Sequence, residues 1–429
     1  DRIISLRLYS GNKDHRILQE AILGFGGIRL LEILGYDNIK TYHMNEGHCS
    51  FLTLALLEKY NGDENKVRSM CHFTTHTPVE AGHDHFAIDR CRKLLHGLLP
   101  ENLNLPSWVQ DSRLHMTELG LYFSRSANGV SELHGKVAQN QFPDFTIKHI
   151  TNGVYHPYWL GKSFKDLFDE KLSGWRTKPE LLLKLHGISN EELSLAHLLQ
   201  KKSLLGYANS QTQKALSSNV LTLGFARRAA EYKRARLIFS DPDRLMKLGK
   251  NKLQIIFAGK AHPKDQLGKD IIKEIVNNAN NLMGKVKIIF LENYNMWLGH
   301  LITSGVDVWL NTPLRPNEAS GTSGMKAALN GIPNLSILDG WWAEGCQNGK
   351  NGWAIGSVDA CDDESDAESL YQLLEQDVIP IFYDNKEKWM QIMRNSIETS
   401  VQFTADRMIK EYQEKYYQNH HQEIFSVIK

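Results

Sequence analysis

"DVWLNTPLRPNEASGTSGMKAALNGIPNLSILD", residues Asp307–Asp339, reads as strand, polar loop, helix, strand. "DVWLN" and "NLSILD" are short apolar runs, and "MKAALNG" between them has a helical pattern. This is the signature of a parallel βαβ unit. The loop carries the chemistry. Gly321 and Gly324 let backbone amides come close to a ligand, and Thr322 and Ser323 add hydroxyls. A helix start built this way suits an anion, although the order GxxxxGK[ST] of a nucleotide loop is missing. Lys326 lies one turn inside the helix. A lysine in a dry, amide-rich pocket loses its proton readily enough to form a Schiff base. On local chemistry alone, an ordinary surface lysine is the simpler reading.

The same rhythm extends outward. "VLTLGFA" from Val220, "LQIIFAG" from Leu253 and "VKIIFLE" from Val286 are further apolar, β-branched runs with helices between them. In the first half, "NIKTYHMNEGH", "VRSMCHFTTHTP" and "DFTIKHITNGV" are each a strand running into a polar loop, and "RIISLRLYS" at the start is strand-like. The pattern predicts an α/β protein of two Rossmann-like doubly wound lobes. Residues 1–157 are the remainder of the N-terminal lobe, 158–218 a helical hinge region, 219–363 the C-terminal lobe and 364–429 C-terminal helices. In such sheets ligands sit beyond the carboxyl ends of the strands, so the polar loops are expected to face one interlobe cleft.

Composition narrows the partners. The 429 residues hold 50 Lys and Arg against 49 Asp and Glu, so no global field favours nucleic acid or an anionic membrane. No apolar run approaches the ~18 residues of a spanning helix. Five scattered cysteines without CxxC spacing indicate free thiols in a reducing compartment, hence the cytoplasm. No HExxH occurs, and no metal site is expected.

Candidate chemistry falls at strand ends. "ARRAAEYKR" places Arg227, Arg228, Lys233 and Arg234 after the Val220 strand, in what reads as the first turns of a helix. Cations there oppose the helix dipole unless a bound anion compensates them; the alternative is a solvated basic face. His43, His48, His72, His76, His83 and His85 cluster in the first lobe. They read better as polar groups for a hydroxyl-rich ligand, or as satisfied structural histidines, than as a metal site. Glu46 and Glu318 are strand-end acids in opposite lobes, which leaves a glycoside-hydrolysing carboxylate pair open.

Taken together and in order, "GFARRAAEYKRARLIF", "IIFAGKAHPKD", "LENYN", "NEASGTSGMKAALNG" and "ITNGVYHPYW" resemble the α-glucan (glycogen, starch, maltodextrin) phosphorylases, in their shorter bacterial and archaeal branch. "HMNEGHCSF" and "THTPVEAG" support the resemblance, which runs from about Leu8 to the C-terminus. It implies a GT-B type fold. It also implies reversible transfer of a glucosyl unit from the non-reducing end of an α-1,4-glucan to inorganic phosphate, giving α-glucose 1-phosphate with retention. The implied cofactor is pyridoxal 5'-phosphate, carried covalently by Lys326, with Thr322, Ser323, Gly324 and Arg227 at its phosphate and Tyr294 and Trp159 packed near it. Arg228 and Lys233 would clamp the substrate phosphate. Glu318, Ser320, Gly321, Asn152 and His76 would bind the glucosyl unit, with the backbone carbonyl of His76 also facing developing positive charge. His48 and Glu46 would line the approach. A homo-oligomer is compatible with the resemblance.

The chain departs from the family at Ala230, where histidine is common, at Ser323, where "TSGM" replaces "TGNM", and at Glu46, which replaces aspartate. The family's glycine-rich phosphate loop has no counterpart before Leu8, and "GFGG" at Gly24 falls inside a helix pattern. The expectation is an N-terminally incomplete chain that does not catalyse alone, without phosphoserine or AMP control. A nucleotide-sugar glucosyltransferase of the glycogen synthase type and an inactive glucan-binding fragment remain as alternatives.

Overall fold

The computed structural model describes residues 2–6, 12–99, 108–212, 214–358 and 361–418. Contacts divide the chain into two compact units, with the crossings after Thr151 and after Met408. The stretch expected as a hinge, 158–218, lies wholly within the second unit, and the stretch beyond Met408 returns to the first. The strand expected in "RIISLRLYS" is not formed where it is described: residues 2–6 are turns, and 7–10 lie outside the described residues. Among the described residues no helix is long and apolar enough to cross a membrane.

The first unit is built on four parallel strands in chain order: β1 (Tyr42–Asn45), β2 (Cys71–Thr74), β3 (Ser126–Gly129) and β4 (Ile147–His149). Alternation along the strands gives the sheet two unlike faces. Met44, Cys71, Phe73 and Ala127 join an apolar core with Phe51, Leu54 and Leu119. The other face carries His43, His72, Thr74, Ser126 and Asn128. Burying these polar groups is tolerable only if each finds a partner. Three tyrosines of the returning segment supply several. His43 bridges Tyr417 Oη (2.6 Å) and Thr74 Oγ1 (2.7 Å), Asn128 Nδ2 donates to Tyr412 Oη (2.9 Å), and Tyr416 stacks on His72 at 4.2 Å. Burial pushes His43 down to about 4 and His72 to about 3, so both rings are neutral and structural. His83 pairs with Thr117 Oγ1 (2.9 Å), and His85 stacks on His115.

The second unit holds six parallel strands: β5 (Leu221–Ala226), β6 (Leu253–Ala258), β7 (Lys287–Leu291), β8 (Val308–Asn311), β9 (Asn334–Ile337) and β10 (Gly352–Ile355). Their spatial order is β7-β6-β5-β8-β9-β10. This is the doubly wound order, and winding reverses between β5 and β8. Every residue of β5, β6, β8 and β9 is buried, as expected of a sheet covered on both faces.

A buried ion cluster fastens the 23-residue helix α1 (Asn190–Thr212) to the amino end of this sheet. Asp307 accepts from Lys201 Nζ (2.5 Å) and from Thr222 N (2.7 Å), and it pairs with His197 Nε2 (2.9 Å). Burial alone would raise the Asp307 carboxyl, but Lys201 and His197 outweigh it and hold it below its ordinary value. Removing one partner strands the other charge in the interior. Asp307→Ala is therefore expected to lower stability by about 3–5 kcal/mol in urea unfolding, and the double variant Asp307→Ala/Lys201→Met by less than the single one.

Candidate active site

At a point of winding reversal the connections after neighbouring strands leave in opposite directions and open a crevice at their carboxyl ends. The segment after β5 and the segment after β8 meet there. The first, "ARRAAEYKR", does not form the expected helix. It holds one short 3-10 turn, Glu231–Lys233, with a second, Leu237–Phe239, just beyond it and Arg234 between them in the left-handed region at φ 46°. The basic cluster splits as a result. Arg234 turns away to Asp363, Asp366 and the carbonyls of Thr312 and Pro313, while Arg228 is exposed. Arg227 and Lys233 turn to the segment after β8.

That segment is rigidly held. Glu318 N donates to Asp339 Oδ2 (2.9 Å), and Trp341 N donates to Ser320 O (2.8 Å). Gly321 has φ 82° and begins helix α2 (Thr322–Leu329) with no side chain capping it. Gly324 is forced by space, because a Cβ there would lie 2.4 Å from Asn334 Oδ1. The Gly324 amide already donates to Gly321 O (3.0 Å), so an anion at this helix start would meet the earlier amides, Thr322 and Ser323.

The charges are closely packed. Lys233 Nζ lies 2.6 and 2.7 Å from the two Glu318 carboxylate oxygens. Arg227 Nη1 donates to Glu318 Oε2 (2.7 Å), and its Nη2 donates to Ser323 Oγ (3.1 Å). Burial alone would raise Glu318, but Arg227 and Lys233 outweigh it and hold the carboxyl at about 2. Burial and the neighbouring Arg227 push Lys233 down, against the pull of Glu318. Asp339 is fully buried, and burial lifts it to about 7 despite its two backbone donors, Glu318 and Gly340. Arg227 Nε and Ser320 Oγ are buried without a partner among the described residues.

Lys326 sits beside this cluster with its Nζ 3.6 Å from the centre of the Trp159 ring. Burial alone pushes its amine down to about 8. Asn330 fixes the pair: its Nδ2 donates to Trp159 O (2.9 Å) and to Lys326 O (2.8 Å), and its Oδ1 accepts from Gly161 N (2.7 Å). Tyr294 is half-buried, and its hydroxyl is raised by burial. Asn152 belongs to this unit too, and its carbonyl accepts from Arg407. In the first unit His76 follows β2, its amide donating to Glu46 Oε2 (2.7 Å), and His48 lies in the turn after β1. Both rings are lowered by burial. Glu46 thus serves the His76 loop. Among the described residues no cluster of three or more metal-ligating side chains occurs.

Sequence reading assigned no role to Asp339 or Asn330. The signal for Asp339 was present, an acid at the carboxyl end of β9; Asn330 gave none.

This is an α/β site at a strand-order reversal, with cations, an uncapped helix start and a neutralisable lysine. Residues 83–348 match the family described as carbohydrate phosphorylase. The chain is 40% identical to maltodextrin phosphorylase of Thermococcus litoralis, over 97% of this chain and 55% of that protein. It is 37% identical to glycogen phosphorylase of Aquifex aeolicus, over 97% and 68%, and 36% identical to glycogen phosphorylase of Mycobacterium tuberculosis, over 97% and 56%. The chain belongs to the carbohydrate phosphorylase family, whose fold is of the GT-B glycosyltransferase type. It spans 55% to 68% of the length of these three relatives.

Two measurements probe the site directly. The Lys326 amine is deprotonated as pH rises through about 8. Its acylation, followed by peptide mass mapping, is expected to reach half its limiting rate near that pH, while exposed lysines require a pH near their ordinary ~10.4. Glu318→Gln frees Lys233 and Arg227 from their carboxylate. Inorganic phosphate is then expected to bind roughly 10- to 100-fold tighter by calorimetry, the worth of one charge-assisted contact.

Proposed function

We propose that the whole protein is an α-1,4-glucan phosphorylase, moving glucosyl units reversibly from the non-reducing end of glycogen or maltodextrin onto inorganic phosphate with retention. The observation that carries this reading is Lys326. It is an amine without an acid partner among the described residues, lowered to about 8, one turn inside an uncapped helix start that faces Arg227. The names of the relatives support it. With five free thiols, we place it in the cytoplasm.

The residues present fit pyridoxal 5'-phosphate. Lys326 reaches the neutral form needed to attach a carbonyl, Trp159 and Tyr294 offer aromatic walls, and Arg227 Nε and Ser320 Oγ are buried polar atoms without a partner among the described residues. Thr322, Ser323 and Arg227 would hold the phosphate end, and Gly324 lets the helix start pack against Asn334 and Trp341. When bound, the cofactor supplies a second phosphate group able to give and take a proton.

The chain's own residues do the rest. Arg228 and Lys233 bind the attacking phosphate and offset the repulsion between two phosphates held close together. Phosphate competes with Glu318 for Lys233. Glu318, Ser320, Gly321 and Asn152 accept or donate to the glucosyl hydroxyls, and the family resemblance gives His76 and His48 the same role. The His76 ring, kept neutral by burial, contacts the sugar without adding positive charge. The low-dielectric surroundings of Lys233 and Glu318 strengthen each contact to charge that develops during transfer.

The test is phosphorolysis of maltoheptaose and glycogen by the full-length protein, with and without pyridoxal phosphate. Glucose 1-phosphate release with the cofactor is expected. Lys326→Ala should lose both the cofactor's absorption band and activity, and Lys233→Met should cost ~10²–10³ in kcat/KM for phosphate. A Lys326→Ala protein with full phosphorolysis overturns the reading.

A further inference from the structure

Glu46 follows β1 directly, with φ 77° and ψ 165°. Side chains rarely adopt this backbone conformation, and glycine would adopt it without strain. If the chain needed only a turn here, glycine would serve. The glutamate is kept in place by what it holds. Its amide donates to Thr74 O (2.8 Å), extending the β1–β2 ladder by one bond. Oε1 accepts from Gly47 N (2.9 Å). Oε2 accepts from His76 N (2.7 Å) and from Thr77 Oγ1 (2.8 Å). The preceding residue adds a second grip, because Asn45 Oδ1 pairs with His76 Nε2.

We propose that Glu46 is a positioning residue: its strained backbone aims one carboxylate at the His76 amide and the Thr77 hydroxyl, fixing the His76 peptide and ring toward the glucosyl unit. The strain is stored where a loop must be held in one place, as at other functional turns. Glu46 itself touches no reacting atom. The inference rests on the proposed phosphorylase reading, which gives His76 its role.

The test uses the full-length protein carrying its cofactor, with Glu46→Gly, Glu46→Ala and Glu46→Gln. Turnover is expressed per folded site, counted from cofactor absorbance, and hydrogen exchange is followed over residues 74–78. Glu46→Gly removes the strain together with the carboxylate. It is expected to lower kcat roughly 10- to 100-fold, the scale of a small misplacement of a contacting group. KM for phosphate should stay within about twofold, because the phosphate cations lie in the other unit. Exchange should rise over 74–78 alone. Glu46→Gln keeps an acceptor for the His76 amide and should recover most of the loss, and Glu46→Ala should not. Gly and Ala variants with wild-type kcat per folded site, or a Gln variant no better than Ala, overturn the proposal alone. Absence of glucose 1-phosphate release by the wild type overturns the phosphorylase reading and this inference with it.

Discussion

Winding reverses between β5 and β8, and the rest of the second unit's chemistry depends on that reversal. Two strands that lie side by side send their connections in opposite directions, so the ends of the connections are left open to each other. Arg227 and Lys233 come from one and Glu318, Ser323 and Lys326 from the other, about 90 residues apart in sequence on the evidence of the Arg227–Glu318 contact. The ion pairs form because both segments leave fully buried strands, and their nearest polar partners are each other.

The site is shaped as much by what is buried as by what is charged. Asp339 and Trp341 hold the Glu318–Gly321 backbone, Asn330 holds the Trp159 segment against α2, and Asp307 anchors α1 at the opposite end of the sheet. Each is a polar group placed where a lone partner would be costly. Lys326 shows the same principle in reverse. Among the described residues it has no ion pair, and desolvation turns an ordinary lysine into a candidate nucleophile.

The strands legible in sequence were the apolar, β-branched runs of the second unit, which burial on both faces demands, and the short runs before polar loops that gave β1, β2 and β4. β3, "SANG", and β10, "GWAI", were not legible. Each contains a glycine, and β3 is small and polar, so neither periodicity nor propensity marks it. The "ARRAAEYKR" segment failed as a helix because its ends are tied down: Arg234 is drawn to Asp363 and Asp366, and Leu314 N donates to Tyr232 O. Local helix preference yields to such tertiary ties.

By itself the sequence determined the α/β class, the second unit's parallel strands and the identity of the residues able to carry the chemistry, because apolar periodicity and glycine-bearing strand ends are local properties. Only the tertiary structure decided which of those residues meet. It separated Arg234 from Arg227 and Lys233, turned His43 and His72 into neutral core groups under Tyr412 and Tyr416, and set Lys326 against Trp159. The physical reason is that a charge or a proton affinity depends on its nearest neighbours and its desolvation, and both are set by chain crossings that no local pattern encodes.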